Sequence, residues 1–187
     1  MMSKKVQIKS TLLIGMLLLA AFSRMIPHPM NFAPIGAMGL FGAAYFSRKW
    51  LAVLLPLVTL WLSDLVINNL VMAGYYNEFT WFYEGWYWVY GTTALITFTG
   101  FFTLRKVEFS SVIGSSLLAS AIFFLATNFA CWPGNAMYSQ DFSGLMACYA
   151  AGIPFFQGTL AGNIFYSIVL FGGYELANAK IPFLKSA

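Results

Sequence analysis

The residues that could do chemistry are few, and none of them has the spacing of a known soluble enzyme. The chain has a single histidine, His28, and lacks an HExxH motif, a glycine-rich phosphate loop and a Cys/His cluster with metal-ligand spacing. No spacing supports a catalytic pair of His28 with Cys131. We therefore expect no enzymatic activity, no catalytic residue, no bound metal and no cofactor.

What remains is a set of polar side chains in or beside apolar segments. A charged group at membrane depth costs roughly 3 kcal/mol on insertion scales, so such groups usually face a protein interior or a wet cavity. Asp64 is the one acid well inside an apolar segment, and Asn68 follows it by one helical turn. Arg24 and His28 end the first apolar segment and begin the next loop. These positions indicate a binding site.

The candidate substrate-binding residues share a predicted position toward one side of the membrane. The polar contacts are expected from Arg24, His28, Asn31, Asp64, Asn68 and Asn128, and stacking or lid contacts from Trp86, Tyr87 and Trp132. Two simpler interpretations stay open. Arg24 and Asp64 form a plain ion pair between helices, and the aromatic residues belong to an interfacial belt.

The amino-acid composition indicates what kind of domain positions these residues. Of 187 residues, 60% are hydrophobic and only 9% are charged, with a mean hydropathy of +0.74. A soluble domain carries about 25% charged residues. The chain is therefore expected to be a single integral membrane domain over residues 1–187. Its net charge of +4 does not indicate nucleic-acid binding, because the basic residues cluster at the margins of apolar segments.

Six apolar segments are predicted to cross the bilayer as helices, which gives an all-α fold. A crossing needs about 20 residues. The predicted crossings cover 10–25, 33–47, 50–72, 86–104, 110–131 and 154–177. The first is favoured as a retained helix over a signal peptide, because more membrane protein follows it. The apolar stretch 142–153 is too short to cross, so we expect a short re-entrant or interfacial helix before the last crossing.

The loop charges predict the orientation. With the N-terminus inside, nine of the ten cationic residues fall on the cytoplasmic side, and only Arg24 does not. Both termini are therefore expected in the cytoplasm. The polar side chains within the segments then gather in the outer half of the bilayer. A cavity open to the outside has that asymmetry, whereas an ion channel or proton relay spreads polar groups through the whole depth.

Small residues at helical spacing predict close helix packing. The sets are Gly36/Gly39/Gly42, Ser111/Ser115/Ala119 and Gly158/Gly162. Packing within the bundle is the simpler interpretation, and docking onto a partner subunit is the other. Whether the two cysteines, Cys131 and Cys148, form a disulfide stays open.

Several motifs resemble an uncharacterised family of small bacterial membrane proteins. The run over residues 23–46 reads SRMIPHPMNFAPIGAMGLFGAAYF, and later pieces read LSDL (62–65), TNF (127–129), IPFF (153–156) and LFGGYE (170–175). The size and six-helix plan are similar to the S components of energy-coupling-factor (ECF) vitamin transporters. That resemblance implies capture of a solute at the outer face. The Ala-x-x-x-Ala motif with which S components dock their partner is not evident in the first helix.

The leading functional hypothesis is a multi-pass transporter or S-component-like protein of the bacterial cytoplasmic (inner) membrane. It binds a vitamin-like or nucleoside-like solute from outside. Its partners are the lipid bilayer and that solute, with an ATP-driven energising module or self-association left open. The alternatives are a structural or assembly subunit of a membrane complex, and an intramembrane enzyme using His28 or Cys131.

Overall fold

The computed structural model describes residues 4–76 and 78–181. Within those ranges the chain forms six α-helices and no strand: α1 Lys4–Phe22, α2 Ile35–Tyr45, α3 Lys49–Val66, α4 Trp86–Thr103, α5 Phe109–Cys131 and α6 Phe142–Lys180. A 3₁₀ turn, Ser23–Met25, follows α1, and a π-helical turn, Ile67–Val71, follows α3. The predicted all-helical class is confirmed, and the described ranges contain six helices, whereas the prediction that six helices cross the bilayer is not confirmed. Lys185, which was used to predict the orientation, lies outside the described residues.

Four helices are long and apolar enough to cross a membrane. These spans are Val6–Met25, Lys49–Val71, Phe109–Cys131 and Phe142–Lys180. Helix α4 has 18 residues, but its five threonines lower its hydropathy. Helix α2 has only 11 residues, which reach about 16 Å and cannot cross a core of about 30 Å. Several long apolar helices indicate a membrane protein.

Helix α6 differs from the prediction. The expected short helix at 142–153 and the expected crossing at 154–177 form one continuous helix of 39 residues. Pro154 lies inside this helix and does not end it, although it removes one backbone donor. The whole helix measures about 58 Å, roughly twice the hydrocarbon thickness. One end of α6 must therefore extend beyond any bilayer that the bundle crosses.

Helix α2 forms the centre of the bundle. Seven consecutive residues, Gly36–Gly42, are buried, and α2 contacts α3, α4, α5 and α6. Three of its glycines allow this close approach on three sides. A Cβ atom on Gly36 would lie 2.6 Å from an α6 atom, on Gly39 2.9 Å from an α4 atom, and on Gly42 2.5 Å from an α3 atom. This set of small residues is used for packing within the bundle.

The Gly158/Gly162 pair contacts a loop instead of a helix. The segment joining α1 to α2 runs across this face of α6 in non-helical conformation. A Cβ atom on Gly158 would overlap the backbone oxygen of Met30, and one on Gly162 would lie 2.7 Å from the backbone nitrogen of Ala33. The two glycines thus hold the α1–α2 loop directly against α6.

The bundle has two chemically different ends. At the end that we call the basic end, Lys9 Nζ lies 5.9 Å from the Tyr174 ring centroid. Lys49 Nζ lies 5.5 Å from the Phe101 ring centroid, next to the start of α3 and the end of α4. The opposite end, which we call the cavity end, brings together the end of α1, the end of α3, the start of α4, the end of α5 and the first half of α6.

Candidate functional site

An ion pair at the cavity end joins α1 to α3. Arg24 Nη1 lies 2.6 Å from Asp64 Oδ1 and donates to Ser63 Oγ at 2.8 Å. The second carboxylate oxygen, Asp64 Oδ2, accepts a hydrogen bond from the Tyr90 hydroxyl of α4 at 2.7 Å. The Asp64 side chain is only 4% exposed and that of Arg24 16%. We call Arg24, Ser63, Asp64 and Tyr90 the ion-pair cluster.

The local structure explains why this cluster forms. Arg24 lies in the 3₁₀ turn that ends α1, and Asp64 lies in the last helical turn of α3. The Trp86 ring packs edge-on against the Tyr90 ring, with centroids 5.4 Å apart, and helps to seal the cluster. Burial, followed by the negative charge of Asp64, raises the pKa of the Tyr83 hydroxyl in the α3–α4 loop. Both carboxylate oxygens of Asp64 have partners, so this buried group is satisfied within the protein.

Asn68 faces a different environment from Asp64. It lies in the π-helical turn, is 5% exposed, and its Nδ2 has no hydrogen-bond partner among the described residues. It lines a small crevice of about 260 Å³ with Asn69 and the α3–α4 loop. The Asn69 side chain is fully used, because it donates to the Thr80 carbonyl oxygen at 2.9 Å and accepts from the Thr80 nitrogen at 2.7 Å.

A cavity of about 510 Å³ lies between α5, α6 and the α1–α2 loop. We call it the outer cavity, because it lies toward the end of the bundle opposite the basic end. None of the described residues that line it is charged. The lining residues are Asn31, Val89, Phe123, Phe124, Thr127, Asn128, Cys131, Tyr138, Cys148, Ala151, Gly152, Phe155 and Thr159.

Three polar side chains in the outer cavity have unused hydrogen-bonding capacity. Asn128 Nδ2 donates to the Phe124 carbonyl at 2.8 Å, while Asn128 Oδ1 accepts no bond from a described residue and lies beside Gly152. The amide of Asn31 and the hydroxyl of Thr159 likewise have no hydrogen-bond partner in the described part of the chain. Asn31 adopts the left-handed conformation, with φ of 59°.

Both cysteines line the outer cavity as free thiols. Cys131 is exposed, whereas Cys148 is buried and its Sγ donates to the Asn128 backbone oxygen at 3.3 Å. The two residues come from the end of α5 and the first half of α6. Because both thiols line the cavity, their reaction with thiol reagents can report access to it.

A layer of buried hydroxyl and amide groups lies between the outer cavity and the basic end. Asn163 Nδ2 donates to Ser120 Oγ at 3.0 Å, and Ser116 Oγ donates to Ser167 Oγ at 2.8 Å. All four side chains are at most 2% exposed. These bonds tie α5 to α6. We call these four residues the polar seam.

The remaining predicted residues do not line the outer cavity. His28 is exposed in the α1–α2 loop, with Nδ1 2.9 Å from the Pro29 oxygen. Tyr87 is 59% exposed on α4. Trp132 Nε1 donates to the Ser139 backbone oxygen at 2.8 Å and so belongs to the α5–α6 loop. The predicted set is therefore divided between the ion-pair cluster with the adjoining Trp86 ring, the outer cavity, the Asn68 crevice and the surface.

Sequence reasoning missed Tyr90, Phe155 and Thr159. Tyr90 was not among the candidate residues, although it follows Trp86 by four residues and so lies on the same helical face. The α6 lining residues recur at 148, 151, 152, 155 and 159, which is the spacing of one helix face. Splitting the segment at Pro154 hid that pattern.

The fold and these sites define a small helical protein with several apolar helices of membrane-spanning length and a cavity of mixed polar and apolar lining at one end. The chain belongs to a family of unknown function (DUF6580), which matches residues 4–184. An uncharacterised family is therefore confirmed. No curated protein and no solved structure matches the chain. The similarity to ECF S components stays an expectation.

Proposed function

We propose that the chain is a multi-pass transport protein of the bacterial cytoplasmic membrane that binds a neutral, ring-bearing solute in the outer cavity. Both termini lie in the cytoplasm, and the cavity faces outward. The single observation that carries the proposal is a cavity lined mainly by apolar side chains in which three polar side chains, Asn31, Asn128 and Thr159, have unused hydrogen-bonding capacity.

The orientation follows from the charges and from the length of α6. The basic end belongs on the cytoplasmic side by the positive-inside rule. Gly152 lies about 42 Å from Lys180 along the helix axis, beyond a hydrocarbon core of about 30 Å. The cavity wall around Gly152 therefore stands at the outer interface, where a solute from water can enter. The first turns of α6 then lie at the membrane interface, where a separate short helix was predicted.

The cavity chemistry selects the class of solute. A volume of about 510 Å³ is within the usual range for small-molecule sites. Phe123, Phe124 and Phe155 offer apolar and aromatic surface, and the amides of Asn31 and Asn128 offer hydrogen bonds. No charged side chain lines the cavity to balance a charged ligand. A neutral nucleoside-like or vitamin-like molecule fits these properties.

Passage inward requires movement. The polar seam joins α5 to α6 below the cavity, so a bound solute reaches the cytoplasm only if these helices separate or the whole bundle reorients. In ECF S components the whole bundle reorients, and an ATP-driven module supplies the energy. The same requirement holds for a transporter that works alone.

The test is mass spectrometry of small molecules that co-purify with the detergent-solubilised protein. We expect a neutral ring compound in the wild type, reduced about tenfold by Asn128→Ala and by Thr159→Val, since each removes one polar contact of about 1–2 kcal/mol. Gln157→Ala is the matched control, because Gln157 is exposed on α6 and does not line the cavity.

Two results would contradict the proposal. The first is equal solute content in all four proteins. The second is a stoichiometric protein partner with no solute in the wild type, which would favour the structural or assembly subunit.

A further inference from the structure

A second cavity opens at the basic end, away from the outer cavity. Its volume is about 420 Å³, and it lies between the start of α1, the α2–α3 turn and the start of α3. The residues that matter for its chemistry are Lys9, Ser10, Ser47 and Arg48. We call this space the basic cavity.

The charges in the basic cavity are unbalanced. Lys9 and Arg48 both line it, and neither has an acidic partner, because Arg24–Asp64 is the ion pair of the described chain. None of the described residues that line the cavity is a carboxylate. Glu175 of α6 is hydrogen-bonded to a lining residue, because its Oε1 accepts a hydrogen bond from the Tyr45 hydroxyl at 2.8 Å.

Hydrogen-bond donors accompany the two cations. The hydroxyls of Ser10 and Ser47 have no hydrogen-bond partner among the described residues. The start of α3 lies beside the cavity, since Arg48 and Leu51 line it, so the positive end of the helix dipole is close by. Two cations with free hydroxyls are a donor set that recognises a phosphate group.

An exposed apolar stripe begins at the rim of this cavity. Its residues recur every four positions along α3, so they lie on one face of the helix. They are Trp50, Leu54, Val58 and Leu62, exposed by 59%, 44%, 37% and 36%. A headgroup site that continues into an apolar stripe along a crossing helix fits an amphiphile better than a free anion.

We infer that the basic cavity binds the phosphate headgroup of an anionic phospholipid, whose acyl chain lies along the α3 stripe. Basic pockets between helices near the cytoplasmic surface are known to bind such headgroups. The inference needs only that α3 crosses a bilayer. It does not depend on a solute in the outer cavity, so either conclusion can fail without the other.

The test is native mass spectrometry of the full chain in detergent, titrated with phosphatidylglycerol and with phosphatidylcholine. We expect the wild type to bind phosphatidylglycerol at least about tenfold more tightly, since each of the two basic residues contributes a factor of about five to the attraction of anionic lipid. The double variant Lys9→Gln/Arg48→Gln should lose this preference.

The matched control removes the same charge at the same end of the bundle. Arg105→Gln/Lys106→Gln changes two basic residues in the α4–α5 turn that do not line the basic cavity, and it should keep the preference. The charge-conserving variant Lys9→Arg/Arg48→Lys should keep it as well, and it separates lost recognition from lost folding.

Three outcomes would overturn the inference. One is an unchanged preference in Lys9→Gln/Arg48→Gln. Another is an equal loss in both neutralising double variants, which would show a diffuse surface charge effect. The third is full displacement of the lipid by inorganic phosphate, which would show a free-anion site.

Discussion

The ion-pair cluster and the outer cavity lie at the same end of the bundle, and both contain polar residues that the sequence singled out, yet they are built oppositely. In the cluster, Asp64 uses both oxygens and Arg24 has two partners. In the cavity, Asn128 Oδ1 and the Thr159 hydroxyl have no partner among the described residues. The difference teaches that a satisfied buried polar group holds the fold together, whereas an unsatisfied group beside a cavity is available to a ligand.

The largest expected effect breaks the ion-pair cluster. Asp64→Ala leaves Arg24 largely buried without its partner, so we expect a loss of about 3–5 kcal/mol in the free energy of unfolding. The measurement is reversible unfolding in mixed micelles. Glu84→Ala, at an exposed loop position, should change the stability by less than about 0.5 kcal/mol. A loss below about 1 kcal/mol in the free energy of unfolding of Asp64→Ala would show that the ion pair does not stabilise the contact between α1 and α3.

The next effect links the fold to the cavity through the α1–α2 loop. Gly158→Ala places a Cβ against the Met30 backbone oxygen, so either the loop or α6 must shift, at a cost of about 1–3 kcal/mol. Because Asn31 lies on that loop, solute content should fall as well. Gly172→Ala is the control: its Cβ would meet nothing within 4 Å. Equal stability of the two variants would contradict the close approach.

The neighbouring residues Asn68 and Asn69 repeat the comparison between an unsatisfied and a satisfied polar side chain. Asn69→Leu removes two hydrogen bonds to Thr80 and should cost about 1–2 kcal/mol. Asn68→Leu removes an amide nitrogen that has no partner, so stability should change by less than about 1 kcal/mol or rise. Thermal unfolding of both variants is the measurement. The reverse order would mean that Asn68 holds a structural contact.

The smallest effect concerns the start of α6, which carries one wall of the cavity. Asp141 caps this helix; the Gly144 amide, then the Ser143 and Ser139 hydroxyls, lower its pKa to about 2. A lowered folded pKa means that the cap is complete above the ordinary value of 3.8 and is lost as the pH falls through about 2.

Hydrogen exchange of the first α6 amides should therefore accelerate, beyond its intrinsic pH dependence, between pH 4 and about 2. Asp141→Asn keeps a capping oxygen without a titrating group, and its protection should not change over that range. An identical pH response in Asp141→Asn would contradict the cap.

Much of the fold was predictable from the sequence, because apolar length and loop charge act locally along the chain. The helices follow from apolar length, and the pairing of Arg24 with Asp64 follows from two opposite charges in or beside apolar segments. The continuous α6 was not predicted, since Pro154 is tolerated in a helix whose other bonds are intact. The central place of α2 also depends on tertiary contacts of Gly36, Gly39 and Gly42, which no local pattern reveals.

The site was predictable only in part, for a related reason. Asn31 and Asn128 were singled out because they are polar residues in apolar surroundings. Their common cavity depends on how the α1–α2 loop crosses the glycine face of α6, which spacing alone does not encode. Phe155 and Thr159 become visible as lining residues only when 142–177 is read as one helix.

Thiol accessibility tests the central claim, an outward-facing cavity, most directly. In a Cys148→Ser background, Cys131 at the cavity lining should react with a membrane-impermeant maleimide on intact bacterial spheroplasts. A panel of neutral nucleosides and neutral vitamins should include a compound that slows the reaction. Labelling of Cys131 only after permeabilisation, or from the cytoplasmic side of inverted vesicles, would contradict the account.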